Sequence, residues 1–147
     1  MAAPTATITF VSSTNSFIYV AFDQAVTNNA GNALSRYDFA LSISGGNSSY
    51  LSLASDPAAI YDLGSNTYKI EFDWTGGDPE FHPNGSETIT VAPATATSIK
   101  NSSNEYWTAS VSNDALNARD DIKIIITNEE DIDLWFYLYT GFQSVAA

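Results

Sequence analysis

The chain has 147 residues, no cysteine, and 17 Asp plus Glu against 5 Lys plus Arg, a formal net charge of −12. That length suits a single domain spanning 1–147 that buries a core without cross-links, and the missing cysteines remove disulfide frameworks and thiolate metal sites. The charge argues against a nucleic-acid partner, whose phosphates most of the surface would repel, and no apolar run nears the roughly 18 residues of a membrane span.

The opening Met1-Ala2-Ala3-Pro4-Thr5 lacks the basic and apolar segments of a secretory leader. Two origins fit: a portion of an exported protein, or a protein that reaches the outside by another route, such as a virion protein freed by lysis. Period-two alternation then begins. Thr7-Ile8-Thr9-Phe10-Val11 and Phe17-Ile18-Tyr19-Val20-Ala21-Phe22 read as strands, with Asn15-Ser16 as the turn between them. Ser35 and Asp38 stand at capping-box spacing and predict a single capped turn, bracketed by Leu34 and Phe39. Strands follow at Phe39–Ile43 and Tyr50–Leu53, separated by Gly45-Gly46-Asn47. Tyr68–Trp74 places Tyr68, Ile70, Phe72 and Trp74 on one face and its charges on the other. Asn84-Gly85 precedes a strand at Thr88–Val91, and residues 113–118 suit another short turn.

The last hairpin joins Ile122–Ile126 to the segment Ile132–Tyr139. A loop of about five residues, Asn128 to Ile132, sets Ile126 opposite Leu134 and Ile124 opposite Phe136, gathering apolar side chains on one face. The other face carries Asp133, Trp135, Tyr137 and Tyr139, with Phe142 and Val145 just beyond. No window holds a helical period, so the expectation is an all-β protein: one antiparallel immunoglobulin-like β-sandwich of roughly eight to nine strands.

Two runs have a familiar layout. The first is Val20-Ala21-Phe22-Asp23-Gln24-Ala25-Val26, then Tyr37-Asp38-Phe39, then Ser42-Ile43-Ser44-Gly45-Gly46. The second is Asn84-Gly85-Ser86-Glu87-Thr88-Ile89-Thr90-Val91 followed by Ala94-Thr95-Ala96-Thr97-Ser98-Ile99. Together, over about residues 4–112, they resemble the bacterial immunoglobulin-like surface repeats named for SwmB, a cyanobacterial surface protein. The resemblance implies a non-enzymatic sandwich used in exported surface proteins, adhesins and some virion proteins, and it carries no catalytic residue over. The chain departs from the pattern at Lys100-Asn101-Ser102-Ser103-Asn104-Glu105, and a hairpin over about 121–142 takes the place of a following repeat. These departures favour a self-contained protein with an added docking element.

Chemistry is sparse. His82 is the sole histidine, it precedes Pro83, and no serine lies in a Gly-x-Ser-x-Gly elbow, so the expectation is no enzyme and no catalytic residue. No cofactor is called for; calcium is the weaker option, with Asp73, Asp78 and Glu80 as oxygen donors. Sequons stand at Asn47, Asn84 and Asn101. Trp135, Tyr137, Tyr139 and Phe142 are the candidate binding residues, as a protein interface, as a sugar-stacking platform, or as a face covered by the chain's own tail. The expected role is a structural interaction protein on a virion (capsid, fibre or tail) or cell surface, extracellular, docking on itself or other subunits through strand edges and the aromatic face. The alternative is a carbohydrate-binding or adhesin module, with glycans as partners and Trp135 or Trp107 as stacking rings.

Overall fold

The computed structural model describes residues 1–80, 82–112 and 116–118, and the backbone of 122–126, 134–138 and 143–146. Within them the chain is all-β and antiparallel. The strands are β1 (Ala6–Val11), β2 (Phe17–Phe22), β3 (Thr27–Asn28), β4 (Phe39–Ser44), β5 (Ser52–Leu53), β6 (Ala59–Gly64) and β7 (Thr67–Glu71). They continue with β8 (Trp74–Gly76), β9 (Thr88–Pro93), β10 (Ile99–Lys100), β11 (Val111–Ser112), β12 (Ile122–Ile126), β13 (Leu134–Leu138) and β14 (Gln143–Ala146). A four-stranded sheet runs β1-β2-β7-β6, a three-stranded sheet β11-β9-β4, and a second three-stranded sheet β12-β13-β14; β3 with β10 and β5 with β8 make short ladders.

Alternation decides which side chains go inside. Ile18, Val20 and Phe22 of β2 and Tyr68 and Ile70 of β7 share one buried cluster with Phe39 and Leu41 of β4 and Ile89 and Val91 of β9. Each such side chain contributes about 1.5–3 kcal/mol by leaving water. Trp107 lies at 1% exposure against both sheets, edge-on to Phe22 at 5.2 Å and 6.3 Å from Phe39. Its indole Nε1 is buried without a hydrogen-bond partner, an offset of about 1–3 kcal/mol against that packing. A ring so enclosed cannot stack on a sugar, so Trp107 belongs to the core rather than to any binding face.

Turn chemistry follows the expected residues. Asn15 takes φ 55°, Gly45 φ 74° and Gly46 φ 47°. Asn15 is also a fully buried junction. Its Nδ2 donates to the carbonyls of Pro79 and Asn117, its Oδ1 accepts from the Asn117 N–H, and its own carbonyl accepts from Trp74 Nε1. The capped turn forms as a single 3-10 turn, Arg36–Asp38, with Asp38 accepting from the Ser35 N–H and hydroxyl. Of the short turn expected at 113–118, residues 113–115 lie outside the described residues and 116–118 form no regular element.

Besides the unexpected short strands β3, β10, β11 and β14, the strands depart from the expected pattern in four places. β5 keeps only Ser52 and Leu53 of the expected Tyr50–Leu53 run. The strand expected over Tyr68–Trp74 breaks after Glu71, and Trp74 opens β8 in another sheet. β6 had no sequence signature; it is an edge strand turning into β7 through Ser65 and Asn66, both at positive φ. The fourth departure is a β-bulge in β1: Ile8 pairs with Val20 and Phe10 with Tyr19, so Thr9 is the extra residue. Plain alternation would send Phe10 inward beside Ile8; the bulge turns Phe10 out, 45% exposed, and lets Val11 pack on the core. In the C-terminal sheet Ile126 pairs with Leu134 and Ile124 with Phe136, the register expected from the apolar pattern.

Candidate functional site

β2 carries large apolar or aromatic side chains on both faces. With Ile18, Val20 and Phe22 inward, Phe17 and Tyr19 project outward. The bulge at Thr9 adds Phe10, and the three ring centroids stand 5.1, 5.4 and 5.9 Å apart. The register carries the row across the whole sheet: Phe10 pairs with Tyr19, Tyr19 with Lys69, and Lys69 with Tyr61. Tyr61 is 49% exposed, and Leu63 is also exposed at the bulged end of β6.

Lys69 organises this surface. Its ammonium sits over the Phe17 ring at 4.5 Å and over the Tyr61 ring at 5.2 Å, the geometry in which a cation meets the negative face of an aromatic ring. It also donates to Glu71 Oε1 at 2.6 Å, and that hydrogen bond, ahead of all other influences, holds the amine's pKa above its ordinary value. The cation therefore stays charged and partnered. Two consequences follow for chemistry: the outward register positions are neutral in sum, and the ammonium competes with any ligand for one face of the Phe17 ring and one face of the Tyr61 ring.

The edges of the same sheet are blunted. β1 carries the Thr9 bulge, and β6 is irregular between Asp62 and Gly64. Asp62 stands opposite Tyr68, a carboxylate at an inward register position of an edge strand. Bulges and such charges are the usual obstacles to edge-to-edge pairing.

A second polar constellation surrounds Glu87, which is fully buried. Its Oε1 accepts from the backbone N–H groups of Asn47 at 2.7 Å and Asn84 at 2.9 Å, and its Oε2 accepts from Gly85 at 3.1 Å. Gly46 must be glycine here, since a Cβ would overlap the Glu87 carboxyl group. Burial pushes this carboxyl up, but the N–H groups of Asn47 and Asn84, with smaller help from Gly85, outweigh it and hold it below the ordinary carboxylate range. A general acid needs the opposite shift. Glu87 is an anion that ties loops together.

The residues singled out from the sequence fall as follows. Trp135 and Tyr137 occupy alternate positions of β13, opposite Ile125 and Lys123 on one side and Ala146 and Ser144 on the other. β13 is thus the central strand of its sheet, and its backbone offers no free edge there. Tyr139 and Phe142 lie outside the described residues. Asp78 is engaged in its own loop, accepting from the Glu80 N–H at its side chain and from the His82 N–H at its carbonyl. Among the described residues no group of three or more His, Cys, Asp or Glu side chains is placed to hold a metal ion, Asp73, Asp78 and Glu80 included. His82 stacks with Tyr50 at 6.4 Å between centroids. The Asn101 sequon is closed to a glycan, because the side chain is 2% exposed and its Nδ2 donates to Ala2 O and Gln24 Oε1. Phe10, Phe17, Tyr19, Tyr61 and Lys69 were missed as a site. The doubly apolar β2 was the signal that could have revealed Phe17 and Tyr19.

No family model matches the chain, and neither a curated protein nor a solved structure matches it.

Proposed function

We propose that this chain is a non-catalytic interaction protein, an immunoglobulin-like β-sandwich displayed outside the cell on a virion or cell surface, which binds protein through the outer face of its β1-β2-β7-β6 sheet. The observation that carries the reading is the continuous row Phe10–Tyr19–Lys69–Tyr61 on an otherwise acidic molecule, three aromatic rings and one partnered cation, with Phe10 and Tyr61 exposed and Tyr19 and Lys69 half-buried between them. Protein interfaces favour aromatic side chains at their centre and deplete free charge there. The immunoglobulin-like part of the reading draws on two antiparallel sheets sharing one core and on the resemblance to SwmB-type repeats. Display outside the cell draws on that resemblance and on the acidic exterior.

Docking through the face is favoured over docking through the strand edges, because both edges of this sheet carry irregular ladders. It is favoured over sugar stacking because Lys69 already lies over two of the rings. Photo-cross-linking tests the reading. A photoreactive residue at position 10 in the producing cell is expected to give a protein adduct, while one at Ser42, on the outer face of β4, gives none. No adduct from position 10, or a glycan adduct in its place, overturns the proposal.

A further inference from the structure

We infer that the occupant of this face is a second copy of the chain, docked face to face about a two-fold axis; the inference rests on the reading of the face as a protein interface. At a net charge of −12, two copies approaching at random repel each other, and an interface between them needs a region where that repulsion is absent. The outward register positions of β1, β2, β7 and β6 supply it. The charged residues among them are Lys69 and Glu71, bonded to one another at 2.6 Å, so the face adds no net charge to a contact.

The same pair tolerates enclosure. A buried charge is costly when it loses its partner. Lys69 brings Glu71, the Phe17 ring and the Tyr61 ring into the contact with it, and needs nothing from the other copy. The remaining side chains at those outward positions are uncharged, the half-exposed Phe10 and Tyr61 rings among them, and present no repulsion to an identical surface. A two-fold arrangement presents the same patch from both copies and closes after two, so it leaves no further face to polymerise. The bulged edges act in the same direction, by discouraging a continuous sheet across the two copies.

Sedimentation equilibrium of the full chain tests this directly. The wild type is expected to dimerise, and more tightly as salt rises from about 0.1 M to about 1 M, because the residual repulsion is screened over about 10 Å and then about 3 Å. The double change Phe10→Asp with Tyr61→Asp is expected to weaken the dimer at least about tenfold. So is Lys69→Glu, a single change that sets two carboxylates side by side and makes the face acidic. Ser42→Asp, on the other sheet, leaves the dimer unchanged. A wild type that stays monomeric at both salt concentrations overturns the inference, as does a dimer that neither face variant weakens. A monomer whose position 10 still cross-links to a different protein removes the second copy alone, whereas no protein adduct at all removes the interface reading with it.

Discussion

The two main sheets share one core and differ on their outer faces. On the β11-β9-β4 sheet, the outward pairs are Ala40 with Ala92, Ser42 with Thr90, and Ser44 with Thr88. On the β1-β2-β7-β6 sheet, they include Phe10 with Tyr19, Tyr19 with Lys69, and Tyr61 with Lys69. Small and hydroxyl-bearing side chains are what a sheet facing water requires and no more. The aromatic row exceeds that requirement, since inward-facing residues already supply the core. Intrachain ring and cation–ring contacts hold the aromatic face together, and the proposed interface rests on what that face exposes beyond them.

Three changes test the contrast between the two faces. The largest stability effect is expected away from both outer faces. Glu87→Gln removes the charge that three backbone N–H groups converge on, and should cost about 2 kcal/mol in chemical denaturation. Its pH dependence has a definite sign. The folded-state pKa of Glu87 is depressed, so its contribution is complete above the unfolded-state value and disappears as pH falls through the folded-state value. Asp23, held low first by the Thr5 N–H and then by its hydroxyl, shifts in the same sense. Stability curves measured downward from neutral pH should therefore fall for the wild type and fall less for Glu87→Gln.

A smaller effect on folding accompanies Phe10→Ser with Tyr61→Ser, which makes the aromatic face resemble the hydroxyl face. Both side chains are about half buried, so the pair should cost about 1.5 kcal/mol of stability in thermal unfolding, while self-association is lost. A large loss of stability would mean that these rings are part of the folding core and would erase the contrast. The smallest change in stability is expected from deleting Thr9. Ile8 and Phe10 would then be neighbours in an unbroken ladder, opposite Val20 and Tyr19 as before, with Phe10 still outward. The melting temperature should hold within a few degrees, and the straightened edge should aggregate more readily by light scattering.

Much of the framework was legible in the residues themselves. β2, β4 and β9 follow their alternating runs closely, Asn15 and Gly45-Gly46 take the backbone angles their chemistry allows, and Ile126 meets Leu134 as the apolar pattern required. What stayed hidden depends on distant partners. The carbonyls that accept from Asn15 belong to residues 64 and 102 positions away, and Glu87 meets the Asn47 N–H across 40. β6 is a largely exposed edge strand, so alternation had little burial to follow. The candidate face was half legible. Phe17 and Tyr19 lie on the second apolar side of one strand, whereas Phe10 reaches them by a one-residue bulge that no pattern of hydrophobicity announces.

The most direct measurement of the central claim is hydroxyl-radical footprinting of the chain in its associated and dilute states. Phe10, Tyr19 and Tyr61 serve as reporters of the aromatic face; Tyr50 and Tyr37, 67% and 63% exposed and outside that row, serve as controls. Protection of the three reporters on association, with Tyr50 and Tyr37 equally reactive in both states, is the predicted result. Unchanged reactivity at Phe10 and Tyr61 while association proceeds would contradict it.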